Sequence, residues 1–281
     1  MSVATSISHY ENFPVASILL PRELRVPIAH IYHFARSADD FADEGDAPAA
    51  ARLSALDEYR TELDRIERGA ATEAPLFRAL GETIRTYGLP LQLFRDLLDA
   101  FSQDVVKQRY ASFSELLDYS RRSANPVGRL LLHLFDAATP RNLDWSDSIC
   151  SALQLANFWQ DIAIDWRKGR IYLPQDEMAR YAVTEAHVAN GRCDEAWRAL
   201  LAFQTARTRE MLEYGAPLGS VLPGRVGLEI RVSVAGGLRI LKKLDGAGQD
   251  MFRHRPVLRW HDWPLLLAGS LFPSRTPAVS A

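Results

Sequence analysis

Gln154, Asn157, Asp161 and Asp165 stand at relative positions 0, 3, 7 and 11 of the stretch QLANFWQDIAIDWRKGRIYLP, residues 154–174. At 100° per residue these four fall on one narrow helical stripe. Leu155, Phe158, Trp159 and Ile162 occupy its flanks. Two carboxylates one turn apart cost an isolated helix roughly 0.2–0.5 kcal/mol. A hard divalent cation with oxygen ligands is the usual compensation, and Mg²⁺ fits the donor types.

A second acidic cluster lies upstream in RSADDFADEGD, residues 36–46. Arg36, Asp39 and Asp43 share one helical face, while Asp40 and Glu44 repeat the one-turn spacing beside it. Two helices with paired carboxylates can face each other across a cavity and hold Mg²⁺ ions that grip a diphosphate. The competing reading of either cluster alone is a solvated acidic face. The aromatic and aliphatic flanks of the second stripe argue against ordinary surface, and two such clusters together argue further.

The elements that must position these residues are helices. Period-two alternation is essentially absent, and prolines and glycines fall between helical runs rather than at hairpin spacings. Helices are expected over 28–43, 49–67, 76–88, 90–108 and 112–123, the last opened by the cap signal SFSE. Asn125-Pro126 and Gly128 should interrupt the chain before the apolar run LLLHLF, and the core helix should span 144–166. A basic exit RKGRIYLP follows, then two amphipathic helices within 175–213 and one last long helix over 225–245. LPGR at 222–225 is read as a structural turn. The expectation is one all-α domain over 1–272 and a disordered tail over 273–281.

Composition narrows the function. The 281 residues are 47% hydrophobic and 24% charged, as in an ordinary soluble globular protein. With 33 basic against 35 acidic residues the net charge of −2 gives no reason to expect a nucleic-acid partner. Cys150 and Cys193 lack metal-ligand spacing and suit a reducing cytoplasm. Residues 1–12 have neither the basic start nor the apolar run of a signal peptide. The stretch 263–272 is far short of the ~20 residues a membrane span needs. Trp260, Trp263 and Phe272 are read as packing against neighbouring helices, with peripheral contact at a bilayer as the alternative.

These motifs resemble the squalene/phytoene synthase family over nearly the whole chain, through DDFADE preceded by Arg36 and through QLANFWQDIAIDWRKGRIYLP. HYENFPVAS and SRRSANPVGRLLL are most similar to hydroxysqualene synthases of the HpnC type, and Ser-Ala-Asn-Pro-Val-Gly departs from the usual phytoene synthase pattern. The resemblance implies an isoprenoid-synthase helical bundle around a central cavity, with Mg²⁺ and a prenyl diphosphate substrate. It implies Asp39, Asp43, Asn157, Asp161 and Asp165 as metal ligands. It implies His9, Arg36, Asp40, Glu44, Gln154, Arg170 and Tyr172 as diphosphate contacts, the last pair on a covering flap. Tyr110, Tyr119 and Asn125 are candidates for shaping the cation or quenching-water site, with core packing as the competing role of the tyrosines. Asp104 resembles a recurring acidic position of the family.

The expected reaction converts presqualene diphosphate and water to hydroxysqualene and diphosphate in the cytoplasm, with peripheral contact at the inner membrane and association with other pathway enzymes as further options. The alternatives are head-to-head condensation of two prenyl diphosphates and a non-catalytic assembly factor, which would be free to lose the carboxylates this chain keeps. No Gly-rich nucleotide fingerprint appears.

Overall fold

A computed structural model describes residues 21–43, 47–246 and 250–271. His9, Glu44, Phe272 and the expected tail over 273–281 lie outside the described residues, as does the side chain of Asp43. The architecture is all-α: among the described residues there is no strand, only an isolated parallel bridge between Arg109 and Ile171.

The N-terminal helices are α1 (Arg25–Asp43), α2 (Ala49–Glu67), α3 (Pro75–Tyr87) and α4 (Leu91–Val106). Each begins or is preceded by a proline where a missing N–H costs nothing, or carries one in its first turns. Gly88 ends α3 in the left-handed region, φ 60°, a conformation that glycine adopts without a Cβ clash. Phe34, Leu56, Leu63, Phe77, Leu80 and Phe94 fill the core these helices share.

Helix α5 (Phe113–Ser123) starts at Ser112, whose hydroxyl accepts the Glu115 N–H, a cap worth about 1 kcal/mol. Asn125-Pro126 does interrupt the chain, but as the first turn of α6 (Asn125–Leu134). Gly128 lies inside α6 because a Cβ there would sit 2.4 Å from Ser146 Oγ and 2.5 Å from Cys150 Sγ of α7. That is close helix–helix packing, not a break.

The long α7 (Pro140–Arg167) is capped by Thr139 and packs chiefly on α10 (Glu195–Gly215) and α6. Residues 175–213 hold three helices rather than two: α8 (Gln175–Arg180) and α9 (Glu185–Asn190) precede α10. Helix α12 (Gly224–Gly246) is not the last, since α13 (Asp262–Leu271) packs on it after an irregular segment; α11 (Leu218–Val221) is a single turn. A second core forms around Trp159, Trp197, Leu200, Leu201, Leu212 and Leu241.

The two cores meet where α4 packs on α5 and α6, with α1 across a cavity from α5, α6 and α7. The cavity that brings the two motifs together lies on this seam.

Candidate active site

A cavity of about 360 Å³ opens on the seam. Ile28, Ile31 and Ala35 of α1, Phe101 of α4, and Val127 and Leu131 of α6 make its apolar wall. Arg36 and Asp39 of α1, Tyr119 and Ser123 of α5 and Gln154 of α7 bring polar groups to the same space. The fold therefore joins the first acidic motif to the head of the second stripe across one greasy chamber.

On α1 the charges are balanced within the motif. The Arg36 guanidinium lies 2.7 Å from an Asp40 carboxylate oxygen and 3.6 Å from one of Asp39, all three side chains half-exposed. Asp39 faces the cavity; Asp40 is not among its lining residues.

On α7 the stripe behaves as its spacing demands. Gln154, Asn157, Asp161 and Asp165 are each partly exposed, whereas Leu155, Phe158, Trp159 and Ile162 beside them are buried. Asp161, only 18% exposed, is held by Arg255 from the irregular segment after α12. The guanidinium engages both carboxylate oxygens, Nη2 at 3.0 Å from Oδ2. The neighbouring Gln160 amide donates to the Pro256 carbonyl at 2.6 Å and fixes the same segment to α7.

Below the cavity lies a buried aromatic cluster. The rings of Phe158 and Tyr172 stack at 3.7 Å between centroids, and Tyr110 and Tyr119 lie 5.5 Å apart beside them. Tyr119 donates its hydroxyl to Asp104 Oδ2 at 2.8 Å, while Tyr110 accepts from the Gln103 amide at 3.2 Å. Burial, then the negative charge of Asp104, pushes both phenols up, so both stay protonated.

The loop after α7 is packed inward. Ile171 N–H donates to the Gln108 carbonyl and Gln175 N–H to the Tyr110 carbonyl, at 3.0 and 2.9 Å. Arg170 donates to the Asp104 carbonyl at 3.0 Å. In this structure Arg170 and Tyr172 are thus stitched to the 104–111 segment rather than spread as an open flap.

Asn125 does not line the cavity. It is buried in the α5–α6–α7 corner, where its Oδ1 accepts from Ser151 at 2.8 Å, and it faces a separate polar cleft shared with Asp144, Asp147 and Tyr214. Pro126 follows it at the second position of α6, where a missing N–H is tolerated. Arg255 is the site residue that motif reading missed. Its one signal is the basic run RHR at 253–255, where Asp250 stands at helical spacing from Arg253 but no acid does from Arg255.

The donor chemistry on α1 and α7 suits a hard divalent cation: carboxylates and an amide, with no sulfur. Among the described residues no three acidic, histidine or cysteine side chains converge to hold an ion alone.

The family profile described as Squalene/phytoene synthase matches residues 8–262. The chain belongs to the squalene/phytoene synthase family. It is 36% identical to a hydroxysqualene synthase of Zymomonas mobilis over 228 residues, covering 79% of this chain and 74% of that one. It is also 34% identical to a phytoene synthase of Arthrospira platensis over 258 residues, covering 87% and 83%. The crystal structure of squalene synthase HpnC from Alicyclobacillus acidocaldarius superposes with a TM-score of 0.80 at 37% identity, over 86% of this chain and 90% of that one. Squalene/phytoene synthase family members are prenyl-transferring enzymes that act on prenyl diphosphates, typically with a divalent metal.

Proposed function

We propose that this enzyme converts presqualene diphosphate and water to hydroxysqualene and diphosphate, a step of squalene and hopanoid synthesis. The observation that carries this reading is the seam cavity, where an apolar chamber meets Arg36, Asp39 and Gln154 at one boundary. Its similarity to hydroxysqualene synthases supports the finer assignment.

The chemistry asks for two opposed environments. The departing diphosphate needs positive charge, and Arg36 stands at the polar boundary of the chamber to receive it. Divalent ions held by Asp39 and Asp43 of α1 and by Asn157, Asp161 and Asp165 of α7 would neutralise the leaving group. The carbocation left behind needs walls without nucleophiles, which Ile28, Ile31, Phe101, Val127 and Leu131 provide. Tyr119 borders the chamber, but its hydroxyl is committed to Asp104 and stays neutral, so it orients water or cation without trapping it. The bond from carbon to the diphosphate oxygen breaks, a bond from carbon to water oxygen forms, and the released proton leaves with solvent or diphosphate.

A second reading is head-to-head condensation of two prenyl diphosphates, favoured by phytoene synthases that match about as well. Product analysis with purified protein and Mg²⁺ separates the two, offering presqualene diphosphate and farnesyl diphosphate in parallel without NADPH. A C30 alcohol from the first, with farnesyl diphosphate untouched, is the expected result. Consumption of farnesyl diphosphate to a cyclopropyl diphosphate would overturn the assignment in favour of condensation.

A further inference from the structure

Several polar groups that border the seam cavity are already engaged. Arg36 and Asp39 pair on α1, and Tyr119 donates its hydroxyl to Asp104 at 2.8 Å. Ser123 differs. It lines the cavity as the last residue of α5, and its hydroxyl is buried with no hydrogen-bond partner among the described residues. Other helical serines near it do not behave this way. Ser37, Ser102 and Ser120 each return the hydroxyl to the carbonyl one turn back, at 2.6, 2.7 and 3.2 Å. Ser123 makes no such bond to the Tyr119 carbonyl. A buried hydroxyl in this state lowers stability unless a water or a ligand satisfies it.

Ser123 follows Tyr119 by four residues, so the two stand one turn apart on the face of α5 that borders the chamber. The Tyr119 proton points at Asp104, which leaves lone pairs on the phenol oxygen to accept with. The Gln154 amide reaches the same space from α7. A water settles in an otherwise apolar space when it finds about two to four polar partners. These three side chains supply donors and acceptors, and the aliphatic wall supplies none. The sequence points to Asn125 for this task. The structure buries Asn125 in the α5–α6–α7 corner and leaves the hydroxyl two residues earlier at the chamber.

We infer that Ser123 holds the water that quenches the carbocation, with Tyr119 and Gln154 as its other partners, a role that rests on the hydroxysqualene reading above. The step balances without a further reagent. The bond from carbon to diphosphate oxygen breaks, and its electron pair leaves with the diphosphate. A lone pair of the water oxygen forms the new carbon–oxygen bond, and the surplus proton passes to the released diphosphate. Ser123 keeps its own proton: its oxygen accepts one water O–H and so turns a water lone pair toward the cation after a rotation about χ1. A cation that meets no water loses a proton from a neighbouring carbon instead and ends as a C30 hydrocarbon.

The test is the product ratio from presqualene diphosphate and Mg²⁺, Ser123→Ala against the parent. Removing a hydroxyl that has no partner should leave the thermal unfolding midpoint unchanged or raise it. Substrate consumption should stay within about twofold of the parent, because ionisation is driven at the diphosphate end. The ratio of C30 alcohol to C30 hydrocarbon should fall roughly fivefold or more. Ser123→Thr should keep the parental ratio, and Ser123→Val, of the same shape without the hydroxyl, should lose it. That pair carries the comparison if the alanine variant fails to fold. A ratio that Ala and Val leave unchanged overturns the inference, as does a threonine variant that behaves like valine. An equal loss of both products also overturns it and makes Ser123 a packing residue. A parent that forms no alcohol from presqualene diphosphate overturns the hydroxysqualene reading and this inference with it, whereas a parental alcohol that no Ser123 variant shifts overturns this inference alone.

Discussion

The two acidic motifs solve the same electrostatic problem in opposite ways. On α1 the carboxylates of Asp39 and Asp40 are balanced by Arg36 within one turn of the same helix, in half-exposed surroundings. On α7 the carboxylate of Asp161 is balanced by Arg255, 94 residues away, in a more buried setting. A local pair can be read from spacing, and it holds whatever the rest of the chain does. The distant pair exists only once the segment after α12 has docked on α7. The first motif is thus assembled by secondary structure and the second by tertiary structure.

That contrast can be broken experimentally. The largest effect is expected from Asp161→Asn, which should cut turnover roughly 10²–10³-fold, as losing one charge-stabilising group typically does. The fold should survive, since a partly solvated ion pair is worth at most about 1 kcal/mol. A variant with parental product formation would remove Asp161 from the catalytic face. Next, Asp39→Asn should cost about tenfold more turnover than Asp40→Asn, because only Asp39 borders the cavity. Equal losses would mean that α1 acts through its net charge.

Smaller effects should come from the docked segment. Arg255→Gln frees Asp161 from a competing cation, so the Mg²⁺ concentration for half-maximal turnover should fall by roughly fivefold, the equivalent of about 1 kcal/mol. A Mg²⁺ titration that does not move would show that guanidinium and metal do not compete.

The smallest change in turnover is expected at Asp262, which anchors that segment. Burial raises its carboxyl pKa, but hydrogen bonds from Lys243, the Arg259 N–H and Arg239 outweigh this and hold it well below the ordinary 3.8. A lowered folded pKa stabilises the protein fully above pH ~4, and the contribution is lost as pH falls through the folded value. Asp262→Asn should therefore cost about 2 kcal/mol near neutrality and much less in strong acid. Unfolding midpoints of parent and variant that stay equally far apart at pH ~2 would contradict this account.

Much of this was legible beforehand for a physical reason. Helix α2 matches its expected limits, and α7 encloses its own, because both follow helical periodicity and end at glycine or at the basic exit. The partly exposed stripe on α7 was readable because 3.6-residue spacing alone decides which side chains share a face. The misses share a cause. The breaks at 181–184 and 191–194 are turns, one with Ala182 at φ 56°, that no proline marks. The direction of Asn125 depends on how α6 leaves α5, and the partner of Asp161 on a docked segment. Both are long-range facts that no local pattern encodes. Helix α13 carries no readable helical stripe, because its buried side is Asp262, Leu266 and Ser270 while its exposed side is apolar, the reverse of an amphipathic pattern. Trp260, just before it, is 83% exposed and does not pack against a neighbouring helix as expected.

The chamber lies between two cores rather than inside one. Ala35, Val127 and Leu131 on its wall are only partly buried and border the packed interior instead of forming its centre. Substitutions there change the room available to a guest while leaving Phe34, Leu56, Trp159 and Trp197 in their packing. The room offered to a guest is thus set at a boundary on which neither core depends.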